Sequence, residues 1–149
     1  MNRRLFAPVI AASALLVSAG LAVAQQLGTA AEAKAMLEKA VAALKANETD
    51  ALAKFNSPAG GFRDLYVFCF NMSNGKFTAH VNAKLVGTDA RALKIGSQDV
   101  GQMIYSAVKE GTVTTVDYNF PKPGTTDPVP KESFVRRVGN EGCGVGYYK

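Results

Sequence analysis

Arg63-Asp64-Leu65-Tyr66-Val67-Phe68-Cys69-Phe70, then Asn71-Met72-Ser73-Asn74-Gly75, then Lys76-Phe77-Thr78-Ala79-His80-Val81, reads as a β-hairpin. Residues 65–70 are apolar, aromatic or β-branched almost throughout, the composition of a strand buried on both faces at the centre of a sheet. Asn74-Gly75 offers the positive φ angles that a tight reversal needs. In residues 76–81, Phe77, Ala79 and Val81 alternate with Lys76, Thr78 and His80, which predicts one apolar and one polar face, with His80 on the polar one. The rest of the chain must cover this pair of strands.

Upstream, residues 1–24 read as a removable export signal. Arg3-Arg4 gives a positive start, residues 5–23 carry no charge, and Ala22-Val23-Ala24 places small residues at a cleavage site before polar Gln25-Gln26. The uncharged run is also just long enough to span a bilayer. Its alanine-rich character and the cleavage site favour removal, by the ordinary secretory route rather than a twin-arginine one. The mature chain is then 25–149, a single domain without a further apolar run of membrane length, expected in the periplasm or outside the cell. The formal net charge is +5, of which Arg3 and Arg4 supply two, and no block of lysine and arginine stands out. Nucleic acid is therefore not an expected partner. Two cysteines in an exported chain argue for a disulfide, the alternative being two buried free thiols.

Residues 29–46 predict a helix. Thr29 and Glu32 form a capping box, and Ala33, Met36, Leu37, Ala40, Val41 and Leu44 recur at helical spacing. Asn47 ends it; Thr49 or Asp50 opens a shorter helix through Phe55, stopped by Pro58 and Gly60-Gly61. Residues 82–93 read as a loop, of a length that is often functional. Ser97 is expected to cap a helix to about Glu110 that buries Val100, Met103, Ile104, Ala107 and Val108. Residues 112–120 and 133–138 read as strands separated by a stiff, proline-rich loop over 121–130. A turn at 139–142 leads to the last strand, 143–148. Gly142, Gly144 and Gly146 leave one face of that strand free of side chains, which suits a closely packed helix or, less favoured, a ligand. Short connections between consecutive strands give an antiparallel sheet and an α+β fold.

Catalytic patterns are missing from the sequence. It holds one histidine, His80, and no nucleophile elbow, phosphate loop, Cys-x-x-Cys pair or His/Cys metal cluster. Neither an enzyme nor a metal nor a cofactor is expected.

Asp64-Leu65-Tyr66-Val67-Phe68, Asn74-Gly75, Ala79-His80 and Leu85-Val86-Gly87 resemble the single Cache domain family. So do Val116-Asp117-Tyr118-Asn119-Phe120-Pro121-Lys122-Pro123-Gly124 and Pro130-Lys131-Glu132-Ser133-Phe134-Val135. The resemblance runs from about residue 30 to the C-terminus. It implies a long N-terminal helix and a second helix against a PAS-like antiparallel sheet. It also implies extracytoplasmic sensing of small molecules for chemoreceptors or histidine kinases. The chain departs from the family at Val81, where proline often follows the histidine, in having no tryptophan, and in carrying Cys69 and Cys143. It ends at Lys149 without a second membrane segment or output domain, so a ligand signal is expected to pass to a separate membrane receptor or histidine kinase. A PAS-like order sets the last strand beside the central one. Cys69 and Cys143 are then close enough to bond, which requires Cα atoms within roughly 4.4–6.8 Å.

By the resemblance, His80 lines the ligand pocket; near pH 7 an imidazole can donate, accept or carry charge. Tyr118 and Phe120, at a strand end, offer a flat wall with a polar handle on Tyr118, and Tyr66 counts among the ligand-facing residues. Lys122 and Lys131 bracket the proline-rich loop and are expected to hold a ligand carboxylate, solvated surface lysines being the alternative. His80, Tyr118 and Lys122 are expected in one cleft. Arg63 and Asp64 read as a local ion pair or part of the pocket rim. The expected function is non-catalytic binding of a small organic ligand; the alternative is a structural or protein-interaction module with a degenerate pocket.

Overall fold

The computed structural model describes residues 26–149. The export signal and its cleavage site lie outside the described residues. Helix α1 (Ala30–Ala46) starts at the expected capping box: Thr29 Oγ1 accepts from the Glu32 N–H at 3.2 Å, and the Glu32 carboxylate accepts from the Thr29 N–H at 2.8 Å. Its stripe of Ala33, Leu37, Ala40, Val41 and Leu44 is buried. Helix α2 (Glu48–Phe55) begins earlier than Thr49 or Asp50. Asn47 ends α1 and also caps α2, its side chain accepting from the Asp50 N–H.

Strand β1 (Gly61–Phe62), strand β2 (Leu65–Asn71) and strand β3 (Phe77–Ala79) follow. After a long loop come α3 (Val100–Ala107), β4 (Thr114–Pro121), β5 (Pro128–Val138) and β6 (Glu141–Tyr148). The six strands form one antiparallel sheet in the order β1-β2-β6-β5-β4, with β3 also on β2. Strand β2 is central and buried on both faces, as its composition requires. Leu65, Val67 and Cys69 meet α1 and α2 on one side. Tyr66, Phe68 and Phe70 meet α3 and the second core on the other.

The last strand lies beside the central one, and Cys69 faces Cys143 directly in the register. They form a disulfide with Cα atoms 4.1 Å apart, both fully buried. In the turn before β3 only Gly75 takes a positive φ, of 74°.

Several local expectations are corrected. Ser97 does not cap α3, because Ile95 and Gln98 exchange backbone hydrogen bonds and fold Ser97 into a turn; Asp99 sits at the cap. The helix stops at Ala107, where Val108 turns to extended backbone and Lys109 bridges to Thr112. Met103 faces solvent, while Val100 and Ile104 are buried and Ala107 is half-buried. Strand β3 ends at Ala79, so the alternation fails beyond it: His80 turns into the core and Val81 is exposed. Phe77 and Ala79 pack in different cores, across a register shift at Cys69 and Phe70.

Strand β5 begins at Pro128, inside the segment expected to be an irregular loop. Pro130 is tolerated because its carbonyl points to the β6 side, where it accepts from the Lys149 N–H at the very end of the chain. An amide hydrogen on Pro130 would point the same way, past the last residue of β6. The glycines of β6 do not receive a helix. A Cβ on Gly142 would meet Phe70, one on Gly144 would meet Phe68, and one on Gly146 would meet Ser133 and Lys131. Side chains of the neighbouring strands fill that face.

Candidate functional site

On the sheet face away from α1, three short connections bring aromatic groups together. Tyr66 comes from β2, His80 from just past β3, and Phe120 from near the end of β4. The His80 ring centroid is 5.1 Å from Tyr66, 5.5 Å from Phe77 and 6.2 Å from Phe120. Tyr66, His80 and Phe120 form the inner wall of a cleft of about 430 Å³. Val81 and Leu85 close it on one side, Leu93 and Ile95 on another, and Pro121 to Thr125 on the third. No acidic residue lines it among the described residues.

His80 is held by its neighbours. Asn56 accepts from its backbone N–H at 3.2 Å and donates to the Thr78 carbonyl at 2.8 Å, fixing the end of β3. Its Nδ1 accepts from the Asn82 N–H at 2.9 Å. Burial, and then the positive charge of Lys131, push the imidazole down to about 3. The ring is therefore neutral near pH 7 and carries its proton on Nε2.

Lys131 is not a solvated lysine. It is 1% exposed, and its Nζ donates to the hydroxyls of Tyr66 at 3.0 Å and Tyr148 at 3.4 Å. The ammonium lies 4.4 Å from the Tyr66 ring centroid, 4.7 Å from Tyr148 and 5.3 Å from Phe120, an aromatic box that partly offsets its desolvation. Burial pulls its pKa down to about 7, opposed by the Asp64 carboxylate. The Tyr66 hydroxyl stays protonated, since burial and then the neighbouring Tyr118 and Tyr148 raise its pKa. Tyr148 in turn donates to the Pro121 carbonyl at 2.7 Å.

Tyr66, His80, Phe120 and Lys122 thus line one cleft, while Lys131 and Tyr118 sit behind it. Lys122 is at the half-buried rim, its Nζ 5.8 Å from the Tyr148 ring. Tyr118 is not among the residues lining the larger cleft, but with Tyr66, His80 and Phe120 it lines a small adjoining void of about 20 Å³. Its ring is buried on the same sheet face, 6.1 Å from Phe120, with its hydroxyl bonded to Ser133 Oγ at 2.7 Å. Alternation puts Tyr118 and Phe120 on the same face of β4; Tyr118, further from the strand end, is covered in the core, while Phe120 reaches the cleft. Arg63 and Asp64 do not pair with each other. Arg63 reaches Glu32 at 3.4 Å, whereas Asp64 accepts from the Gly28 N–H at 2.6 Å. The second Asp64 oxygen is buried and has no partner among the described residues.

The sequence reading missed Tyr148, Leu93 and Ile95. Each lies in a segment whose function depends on where a loop or strand end comes to rest. Ligand atoms of Cys69, Glu141 and Cys143 lie within 4.8 Å of one another, but both sulfurs are spent in the disulfide, so the group offers no thiolate to a metal.

The Single Cache domain 2 family model matches residues 11–148. The chain belongs to this family. Among solved structures, a methyl-accepting chemotaxis protein from Vibrio parahaemolyticus is similar to this Cache domain with a TM-score of 0.66 and 23% identity, over 79% of this chain and 86% of that one. A structure described as the periplasmic sensor domain of a chemotaxis protein gives 0.58 and 25%, over 77% of this chain and 86% of that one. A Cache chemosensory domain described in terms of carboxylic acid recognition gives 0.59 and 23%, over 77% and 84%. No curated protein matches the chain.

Proposed function

We propose that this Cache domain is an exported, non-catalytic sensory module, periplasmic or secreted, that binds a small organic anion in the cleft above Lys131. Its occupancy is read by a separate partner, a membrane receptor or a histidine kinase. One observation supports this reading most: a buried ammonium backs the Tyr66 hydroxyl, beside a neutral His80 that lines the same cleft. A carboxylate set there accepts from Tyr66 and His80, with Lys131 behind and Lys122 at the rim supplying positive potential. By donating to the Tyr66 oxygen, the ammonium strengthens Tyr66 as a donor. A ligand cation finds no acid in the lining and is repelled by both lysines.

A thermal-shift screen of carboxylates, amino acids, purines and amines tests the reading. A carboxylate at about 100 times its Kd adds roughly 2.7 kcal/mol of stability. Lys131→Met should abolish the shift while keeping the fold, because replacing a buried charge by an apolar residue of similar volume is often neutral or stabilising. No shift with any carboxylate would instead favour an interaction module with a degenerate pocket.

A further inference from the structure

The cleft joins a cationic, hydrogen-bonding group of residues to a mostly apolar lining. The groups that recognise an anion are Tyr66 and His80 at the wall, Lys131 behind, and Lys122 at the rim. Both lysine nitrogens flank the same Tyr148 ring, at 4.7 and 5.8 Å, so they make one cationic group rather than two. Apart from these groups and the polar but uncharged Asn82 and Thr125, the lining is apolar, with Val81, Leu85, Leu93 and Ile95 supplying aliphatic surface. Val81 is 52% exposed, a branched apolar side chain held at the mouth with water on it. A volume of about 430 Å³ is far more than a two-carbon acid fills.

We infer that the ligand is a monocarboxylate with an apolar tail of about four to eight carbons, straight or aromatic, whose tail lies against Val81, Leu85, Leu93 and Ile95. The inference rests on the anion-binding reading above and names the ligand class for the same site. Burial of each methylene against that wall is expected to tighten binding about two- to four-fold. A second carboxylate against the aliphatic wall would be desolvated without a cationic partner, so dicarboxylates of equal length are expected to bind weakly.

The experiment is calorimetric titration of the purified protein at pH 6 with acetate, butyrate, hexanoate, phenylacetate, adipate and hexylamine. The expected order is hexanoate and phenylacetate tightest, butyrate weaker, and acetate, adipate and hexylamine at least ten-fold weaker than hexanoate. Acetate binding as tightly as hexanoate, or adipate binding tightest, overturns the tail assignment and leaves the anion site standing. Hexylamine matching hexanoate, or no carboxylate binding at all, overturns both. Val81→Ser changes an exposed position and is expected to fold normally. It should flatten the dependence of affinity on chain length between butyrate and hexanoate. An unaltered dependence in both Val81→Ser and Ile95→Ser would also overturn the assignment.

Discussion

Lys131 reaches the Tyr66 hydroxyl across an intervening strand by passing over Gly146. Lys131 is on β5 and Tyr66 on β2, and β6 runs between them. A Cβ on Gly146 would stand 2.4 Å from Lys131 Cε and 2.3 Å from Ser133 Oγ. The missing side chain therefore gives the lysine a path. Gly146→Ala should destabilise the protein by about 1–3 kcal/mol through overpacking and weaken carboxylate binding at least ten-fold. Denaturant melts and calorimetry on one preparation check this; unchanged affinity would show that the lysine does not need that path.

The two buried bases give stability and binding opposite responses to pH. His80 titrates at about 3 in the folded chain against an ordinary value of 6.5. Between those values the unfolded chain binds the extra proton, so stability is lost as pH falls through that window. Lys131 titrates at about 7 against 10.5, so stability also rises from pH 7 towards 10.5. Carboxylate binding needs the ammonium, so affinity should fall as pH rises above about 7. Urea melts at pH 5, 7 and 9, with titrations at the same pH values, separate the two slopes. Affinity that climbs with pH would contradict the role given to Lys131.

The Cys69–Cys143 bond closes a loop with a sequence separation of 74. The chain-entropy account assigns such a loop about 4 kcal/mol. Reduction, or paired replacement by alanine, should lower unfolding stability by about 2–5 kcal/mol. Denatured, unreduced protein should show no free thiol on titration; two per chain would contradict the bond.

Gly101, in the first turn of α3, packs against the Ala90 carbonyl so tightly that a Cβ would lie 1.7 Å from that oxygen. The neighbour is backbone and cannot swing aside. Gly101→Ala should therefore cost about 1–3 kcal/mol and shift the segment carrying Leu93 and Ile95. A melt indistinguishable from the parent protein would refute this contact.

Where local chemistry decides, the sequence was readable. The capping box at Thr29 and Glu32 and the two-faced burial of β2 follow from residue type and spacing, while the cysteine pairing follows from export together with the strand order that the family resemblance implies. Lys131 was harder. It is two residues from Ser133 and four from Val135, so alternation along β5 puts it on the buried face. Pro128 and Pro130 concealed that alternation, because prolines normally mark the end of pairing; both lie outside the stretch of β5 that pairs with β6, which begins at Lys131. His80 was misplaced for the converse reason: a strand that stops one residue early no longer dictates which way the next side chain points. The aliphatic wall of the cleft comes from a loop without periodicity, and no local pattern brings Leu93 and Ile95 opposite Phe120.

The covalent tie between β2 and β6 sits at the middle of the sheet, on the side covered by α1 and α2. That half of the molecule is therefore mechanically stiff: two central strands cannot shear past each other without breaking a bond. The cleft lies on the opposite side, lined in part by the connections from Val81 to Ile95 and from Lys122 to Thr125. Under the proposed reading, a molecule entering the cleft would press on these two spans, with the cross-linked strands as the fixed frame.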